Sequence, residues 1–163
     1  MTSCSPGTQS RYPIGNCHGS ALASAVPLGR VRLLGVSATA RGTFDVDLKP
    51  GSPELDGAVN RFDFSKTFHG DLQGAGAGVM LSSGDPQSGS AGYVAIETVS
   101  GRLGDRLGSF ALQQLGMMRG GSQTLHYKIV PGSGQDGLTG ITGSFRLTIE
   151  EDGTHRYELD YEL

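Results

Sequence analysis

Short runs of alternating apolar and polar residues, separated by glycine-rich turns, fill the chain from residue 42 to residue 163. About eight such runs occur, and each has the two-residue period of a strand with one face in an apolar core. Residues 61–69 show the pattern, because Phe62, Phe64 and Phe68 share one face of the predicted strand. The last run reaches residue 163, where an open sheet would leave a bare edge and a barrel would pair it with the first strand. We therefore predict an all-β fold, a single antiparallel barrel of about eight strands.

Glycine is the residue that departs most from ordinary composition, with 27 among 163 residues, where roughly 7% is usual. The glycines follow no three-residue period, which excludes a collagen-like chain. Two glycine-rich segments, 74–78 and 132–134, are followed by neither a predicted helix nor a Gly-Lys-Ser/Thr sequence, so they do not fit a phosphate-binding loop. We interpret both as turns and bulges that let a sheet close, and residues 70–78 as a connection between strands.

The overall composition excludes several classes of function. The net charge is −3 with an isoelectric point near 5.7, and no basic stripe offers a surface for nucleic acid. No apolar segment approaches the ~18 residues that a membrane span needs. The histidines show no metal-ligand spacing, so we predict no metal site, and we predict no cofactor. Cys4 and Cys17 both lie outside the strand-rich region, so the fold does not depend on a disulfide, and a cytoplasmic location is the expectation.

The first 37 residues are unlike the rest of the chain. Serine, glycine, proline and alanine dominate them, and neither helical nor strand periodicity holds. We interpret residues 1–37 as an irregular or disordered tail and residues 38–163 as the barrel domain. One of the codons for valine can also serve as a bacterial start codon, and Val36 stands just before the first strand. A second hypothesis therefore places the true start of translation at Val36.

Several runs of this sequence, standing in order, resemble a family of small bacterial proteins that is classed as a domain of unknown function. The four runs that carry the resemblance are residues 65–72, 92–97, 108–113 and 130–134, and the opening run 42–46 and the closing run 157–163 fit it as well. The resemblance covers the chain from about Ala38 to the end. It implies a small barrel similar to the allene oxide cyclase and lipocalin-like architectures, and it implies no established activity. No cyclase motif aligns residue by residue, so no catalytic residue is carried over.

Glu97 is the residue of the strand-rich region that is best suited to act as an acid or base. It shares one strand face with Tyr93, while Val94 and Ile96 share the opposite face. Alternation does not decide which face points inward, although the family resemblance around Glu97 favours that residue. Inside a barrel, a carboxyl group loses solvation and can act as an acid or base, with Tyr93 as its hydrogen-bond partner. Glu97 and Tyr93 are therefore the candidate catalytic residues.

Three further polar residues are candidates for contact with a ligand. Lys66 interrupts the phenylalanine face of residues 61–69, so it either extends its ammonium to water at a barrel end, which is the commoner arrangement, or serves as an interior cation that binds a carboxylate. His69 ends the same strand and lies either at the rim of a pocket mouth or, as is common for histidine, on the ordinary surface. Gln113 lies opposite the face of Phe110 and Leu112, which favours the outside or the rim, whereas inside its amide could hydrogen-bond a ligand carbonyl.

The predicted function follows from the interior of the predicted barrel. A closed barrel with an aromatic and aliphatic lining and a few polar groups is a suitable pocket for a small, largely apolar molecule. Tyr157 and Tyr161 belong to the last run and are predicted to face the lumen. These two tyrosines join Lys66, His69 and Gln113 as candidate ligand-binding residues.

Two other functions stay open from the sequence. An enzyme of the cyclase or isomerase class would need an enclosing apolar cavity, one acid or base such as Glu97, and good positioning. A structural or interaction protein would have a barrel packed solid by its aromatic side chains. The outer barrel faces are compatible with homo-oligomers, of which the sequence fixes no number of copies, and neither nucleic acid nor a membrane is expected as a partner.

Overall fold

The computed structural model of this protein describes residues 37–51 and 57–163. These residues form nine β-strands and one short turn of 3-10 helix, Pro86–Ser88. The strands are β1 (Ser37–Pro50), β2 (Asn60–Gly70), β3 (Leu72–Asp85), β4 (Ser90–Leu103), β5 (Arg106–Arg119), β6 (Ser122–Ile129), β7 (Gln135–Asp136), β8 (Thr142–Ile149) and β9 (His155–Glu162). No α-helix occurs in the two described ranges, and the prediction of an all-β fold is confirmed.

Eight of the strands close into a barrel, as the alternating pattern predicts. All neighbours are antiparallel, and the order around the ring is β1, β2, β3, β4, β5, β6, β8, β9 and back to β1. The two-residue strand β7 pairs with the beginning of β5 and is not part of the ring. Strand β9 pairs with β1 from Glu162 opposite Ser37 to His155 opposite Phe44, so the last run does meet the first.

One half of the barrel is filled by side chains, and we call it the closed half. Its buried core consists of Ala40, Phe44, Phe68, Leu72, Val99, Leu103, Phe110, Leu112, Tyr127, Ile129, Leu138, Ile141, Phe145, Tyr157 and Leu159. Leu138 and Ile141 come from the segment between β7 and β8 and are fully buried, so this segment plugs the end of the ring. Phe145 stacks on Tyr157 with 5.4 Å between ring centroids. The closed half is therefore as solid as an ordinary protein core.

The interpretation of residues 70–78 as a connection is wrong. Strand β2 turns at Asp71 directly into β3, which begins at Leu72 and includes the whole glycine-rich segment. The glycines occupy inward positions of β3 because atoms of neighbouring strands fill the space in front of them: a Cβ on Gly78 would lie 2.7 Å from Cζ of Phe64. Glycine in this strand permits close packing rather than a change of direction.

The second glycine-rich segment is a turn, as its composition predicts. Residues 130–134 connect β6 to β7, and Gly132 has φ 76°, a left-handed conformation that favours glycine. The side chain of Ser133 accepts a hydrogen bond from the backbone N–H of Ala111 on β5. This bond ties the turn to the barrel wall and sets the position of the plug that follows it.

The outer face of β3, β4 and β5 is apolar, which the simple alternation of apolar inside and polar outside does not predict. Leu81, Val94, Ile96 and Leu115 point outward from these neighbouring strands and are between 36% and 55% exposed. Together with adjacent side chains they line a groove of about 580 Å³ on the outside of the barrel. The outer face of β8 and β9 is charged instead, as in the ion pair of Arg146 with Glu158.

The hypotheses about the N-terminal segment concern residues outside the described part of the chain. They include the disordered tail, a start at Val36, and the positions of Cys4 and Cys17. Among the described residues, no helix has the length and hydropathy that crossing a membrane would require.

Candidate functional site

A buried ion pair lies at the middle of the barrel. Glu97 of β4 and Lys66 of β2 both point inward, and Lys66 Nζ donates to Glu97 Oε1 at 2.8 Å. The carboxylate side chain is fully buried, and the ammonium side chain is 6% exposed. Strand β3 runs between the two, and its Gly76 and Gly78 leave room for the long side chains to meet in front of it.

Tyr127 of β6 joins the pair from the opposite side of the lumen. Its hydroxyl accepts a hydrogen bond from Lys66 Nζ at 2.8 Å and donates one to Glu97 Oε1. The ammonium also lies 4.8 Å from the ring centroid of Phe44 and 5.0 Å from that of Phe64. Attraction to these aromatic faces replaces part of the hydration that the ammonium loses on burial. Three strands are thus joined by one polar cluster, Lys66–Glu97–Tyr127, which we call the central triad.

Burial and the Glu97 charge set the ionisation of the neighbouring groups. Burial lowers the pKa of the Lys66 ammonium, and the attraction and hydrogen bond of Glu97 oppose this change. Burial also raises the pKa of the Tyr127 hydroxyl well above its ordinary value, and the Glu97 charge raises it further. The same two causes, in the same order, raise the pKa of Tyr93. Both tyrosines therefore keep their protons at neutral pH and can donate hydrogen bonds.

One oxygen of Glu97 carries all of its hydrogen bonds. Oε1 receives Lys66 and Tyr127, and Gln114 Nε2 approaches it at 3.5 Å. Oε2 is buried and finds no hydrogen-bond partner among the described residues. It faces Gly76, where an added Cβ would lie 3.1 Å away. A buried acceptor without a donor is uncommon and costs free energy of folding, so this carboxylate is a candidate for a functional group.

A hydrogen-bonded chain leads from the central triad toward the open half of the barrel. Gln114 of β5 contacts Glu97 through its amide nitrogen and accepts a hydrogen bond from the Tyr93 hydroxyl through its amide oxygen, at 3.2 Å. Tyr93 is half-buried and reaches the open space beyond. The order Tyr93–Gln114–Glu97 therefore connects the surface of a cavity with the buried carboxylate.

The open half of the barrel is a cavity of about 490 Å³. Seven strands line it, β2, β4 and β6 with their first residues and β1, β3, β5 and β8 with their last. Among the described residues, Tyr93 is the only one that both lines the cavity and belongs to the polar chain. The apolar side chains of the cavity are Leu48, Phe62, Met80, Met117, Met118, Leu125, Leu147 and Ile149. Gly116 makes room for the Tyr93 ring, which covers it, and large aromatic rings fill the closed half.

The comparisons with known proteins agree with this fold. Residues 40–161 match the family described as Protein of unknown function (DUF3224), a match that covers more than half of the chain. The chain belongs to the DUF3224 family. It is also similar to a solved DUF3224 protein of unknown function from Shewanella oneidensis MR-1, with 42% sequence identity and a TM-score of 0.72. That alignment covers 77% of this chain and 96% of the other. No curated protein matches the chain.

The family resemblance inferred from the ordered runs is thus confirmed. Both the ring of eight strands and the membership in DUF3224 agree with the expectation. The relation to allene oxide cyclase and lipocalin-like barrels stays a prediction.

In this DUF3224 barrel, Glu97 and Tyr93 both lie on the inward face of β4, and the open question of that strand is resolved. The bond between them is indirect, because Gln114 stands between their polar atoms. Lys66 is an interior cation that binds a carboxylate, and the carboxylate is Glu97 of the same chain. The commoner interpretation, an ammonium extended to water at a barrel end, is wrong because three aromatic rings and Glu97 enclose the group.

Gln113 and His69 do not line the interior of the DUF3224 barrel. Gln113 points outward, as its strand pattern favours, and its neighbour Gln114 takes the inward position. His69 is an exposed outer residue near the closed end, where its Nε2 lies 2.9 Å from Asp45 Oδ2. Side chains alternate between the two faces of a strand, so neither residue can reach a ligand inside. Neither residue lies at the cavity, and their contact with a ligand stays a prediction.

Tyr157 and Tyr161 face the lumen side but lie away from the cavity. Tyr157 is fully buried, and its hydroxyl accepts a hydrogen bond from the Leu72 backbone N–H at 2.9 Å. It therefore fastens β9 to the turn between β2 and β3. Tyr161 is partly buried against the core beside Gly143 and lines a separate depression of about 390 Å³. Neither tyrosine lines the cavity of the open half, and their contact with a ligand stays a prediction.

Two members of the site have no prediction from the sequence. Tyr127 falls on the apolar face of β6 with Ile129, so the alternation places it inward but gives no sign that its hydroxyl meets an ion pair. Gln114 shares its strand face with the apolar Leu112, and this shared face could have predicted that Gln114 points into the barrel. Polar residues on the apolar face of a strand, such as Lys66, Gln114 and Glu97 here, need interior partners. Among the described residues, no cluster of three or more histidine, cysteine or acidic side chains has the arrangement of a metal site.

Proposed function

We propose that this DUF3224 protein binds a small, largely apolar molecule in the open half of its barrel. The observation that carries the proposal is a cavity of about 490 Å³ whose lining is mostly aliphatic, aromatic and methionine side chains. Cavities of roughly 300–1,000 Å³ with apolar walls and a few polar groups are typical of sites for small ligands. Methionine, as in Met80, Met117 and Met118, adapts its shape to different apolar partners.

The contrast between the two halves of the barrel supports this function. Fifteen buried side chains fill the closed half, so the barrel is not hollow along its whole length and the cavity is confined to the other end. Leu48, Leu125 and Ile149 are between 37% and 59% exposed although they stand on inward positions of their strands. A ligand in the cavity would remove these side chains from water, and burial of apolar surface contributes ~25 cal/mol per Å².

A matched pair of variants tests the proposal. Ser82 lines the cavity, and Ser83 is the next residue of β3 and points outward. We expect wild-type protein to enhance the fluorescence of N-phenyl-1-naphthylamine, an uncharged apolar dye. Ser82→Trp should reduce dye affinity at least about tenfold by filling the cavity, since a tryptophan ring occupies much of the space a ligand needs. Ser83→Trp, with the same residue on the other face, should bind like the wild type.

Equal binding by both variants would contradict a site inside the barrel. If the wild-type protein does not bind the dye at all, the alternative of a structural or interaction protein is favoured instead. Circular dichroism and a melting curve for each variant establish that the comparison is made between folded proteins.

A second candidate is an enzyme of the isomerase type, and one observation favours it. Glu97 Oε2 is buried and accepts no hydrogen bond from the described residues, so its lone pairs are free for a proton. In such an enzyme Tyr93 would contact the substrate, and the Gln114 side chain, which stands between Tyr93 and Glu97, would turn aside so that Glu97 could take a proton from the carbon next to a carbonyl group. Incubating the protein with 2-octanone in D₂O tests this role. Deuterium uptake by the ketone, lost in Glu97→Gln, would support an acid–base function, and uptake equal to the buffer rate would leave binding as the function.

A further inference from the structure

We propose that the cavity selects molecules whose polar end donates a hydrogen bond, such as an alcohol, over molecules whose polar end only accepts one, such as a ketone, an ester or a carboxylate. This inference rests on the proposed binding function and names the chemistry of its ligand. Each hydrogen bond between the buried carboxylate and the cavity has a fixed direction, and these directions decide what the cavity accepts.

The direction starts at Glu97, because an ion-paired carboxylate has no proton to donate. Its Oε1 accepts from Lys66 and from Tyr127, and no described donor reaches Oε2. Any further group that contacts this carboxylate must therefore present an N–H or O–H. Gln114 is that group, at 3.5 Å.

Gln114 transmits the direction to the next link of the chain. Its amide has a donor end, the NH₂ group, and an acceptor end, the carbonyl oxygen. Since the NH₂ group must face Glu97, the carbonyl oxygen faces Tyr93, whose hydroxyl lies 3.2 Å from Gln114 Oε1. The reversed amide would bring its oxygen against the carboxylate oxygen, so the orientation is fixed by the ion pair.

Tyr93 then presents only an acceptor to the cavity. Its hydroxyl has one proton, and that proton is committed to Gln114 Oε1. The lone pairs of the same oxygen are free to accept a hydrogen bond from the cavity side. The other polar side chains of the cavity wall are Ser82, which is half-buried, and Asn60, Gln123 and Thr124, which are exposed.

A donor on the ligand would continue the chain, and an acceptor would break it. A bound alcohol would donate to Tyr93, which donates to Gln114, which donates to Glu97, and bonds arranged in this way strengthen one another. A ketone could bond to Tyr93 only if the hydroxyl turned away from Gln114, and this would leave the half-buried amide oxygen without a partner. A carboxylate would in addition approach the negative charge of Glu97.

The experiment compares 2-octanol with 2-octanone, which have the same carbon skeleton and differ in the donor. Displacement of N-phenyl-1-naphthylamine gives the affinity of each for the wild-type protein. We expect 2-octanol to bind about five to ten times more tightly, the worth of one net hydrogen bond. In Tyr93→Phe the ratio should fall to about one, with 2-octanone affected little.

Gln114→Met is the second variant, and it keeps the tyrosine. Without the amide, the Tyr93 hydroxyl is free to turn toward the cavity, so the preference for the alcohol should also disappear. Both variants retain the shape of the side chain closely enough that a melting curve can confirm folding before binding is measured.

The outcomes separate the two proposals. If both compounds bind the wild type equally, or the ketone binds more tightly, the donor preference is overturned while the binding function stands. If neither compound displaces the dye and the dye itself binds equally to Ser82→Trp, the binding function fails and the donor preference fails with it. A preference for the alcohol that persists unchanged in Tyr93→Phe would also overturn the inference.

Discussion

The charges of Lys66 and Glu97 depend on each other more than on the rest of the protein. Transferring either one alone from water into the barrel would be unfavourable by several kcal/mol, and only close pairing with extra hydrogen bonds offsets this. Tyr127 and the ring faces of Phe44 and Phe64 supply such contacts for the ammonium. A buried pair of this kind is weak evidence for added stability, but removing one member leaves the other without compensation.

Substituting Lys66 by methionine should therefore destabilise the protein by about 3–5 kcal/mol. The Glu97 carboxylate would stay buried without its counter-ion, and the methionine would fill nearly the same volume. The free energy of unfolding in urea measures the effect. The double variant Lys66→Met/Glu97→Gln is the control, because it removes both charges and should recover most of the loss. A double variant as unstable as the sum of the two single variants would contradict the pairing.

The pKa of Tyr127 predicts how stability changes in alkaline solution. In the unfolded chain its hydroxyl ionises near the ordinary value of 10.0, whereas burial and Glu97 hold the folded pKa well above that. The folded state therefore binds more protons above pH 10, and its stability is full below pH 10 and is lost as the pH rises further.

Urea midpoints between pH 8 and pH 11 measure this decline, which should be shallower in Tyr127→Phe. Lys66 acts in the opposite direction, because its lowered pKa makes stability rise with pH up to about its unfolded value of 10.5. The difference between the two proteins isolates the tyrosine, and parallel pH profiles would show that Tyr127 ionises as easily in the folded state.

At the scale of elements, strand β3 decides what the neighbouring strands can place inside. Its inward positions Gly74, Gly76 and Gly78 carry no side chains, and the volume in front of Gly76 and Gly78 belongs to Phe64, Phe68 and Glu97. The long reach between Lys66 on β2 and Glu97 on β4 exists because the strand between them is bare. A glycine-rich segment can thus be a strand whose function is to make room.

A methyl group added to β3 should expose this dependence. In Gly78→Ala the new Cβ would lie 2.3 Å from the Ile96 carbonyl oxygen and 2.7 Å from Cβ of Glu97, so strands must move apart. We expect a loss of about 1–3 kcal/mol in the free energy of unfolding, as in other overpacked cores. Gly92→Ala on β4 is the matched control, since its nearest neighbour would be an oxygen 3.7 Å away.

Gly92→Ala should change stability by no more than about 0.5 kcal/mol. Equal stability of Gly78→Ala and Gly92→Ala, measured by urea unfolding, would contradict the packing argument for β3.

The elements also show how far the sequence could lead. The alternation of residues 61–69 and of the last run predicts their strands and their inward faces, because each has a clear apolar side. It fails for residues 70–78, since glycine and alanine have no polarity contrast and glycine is ordinarily a turn signal. On β4 the faces of Glu97 and Ile96 are equally plausible by pattern, and only the contact with Lys66, 31 residues away in sequence, selects between them.

At the scale of the whole molecule, the ring is not equally strong all around. Strands β4 and β5 pair along their full 14 residues, whereas β6 and β8 share a single paired position, Lys128 opposite Ser144. Side chains hold this seam in place of the missing ladder: the rings of Tyr127 and Phe145 lie across it with 4.3 Å between centroids. Closure at this point depends on the core rather than on the backbone.

Amide hydrogen exchange should locate this seam. We expect the amides of β6 and β8 that face each other to exchange at least about tenfold faster than those between β4 and β5, because local opening follows the fewest hydrogen bonds. Amides of β8 that bond to β9 serve as the internal control and should be protected. Uniform protection around the ring, measured by nuclear magnetic resonance or mass spectrometry, would contradict a weak seam.

The pairing of β1 with β9 has a consequence for how the protein is made. During translation, β2 follows β1 directly, but the second partner of β1, strand β9, appears only after more than a hundred further residues have been translated. During that interval both β1 and the most recently formed strand have unpaired backbone groups that can recruit another chain. Contacts between distant segments also form slowly, since a long loop must close first. The nascent protein is therefore most vulnerable to aggregation just before its final hairpin is released.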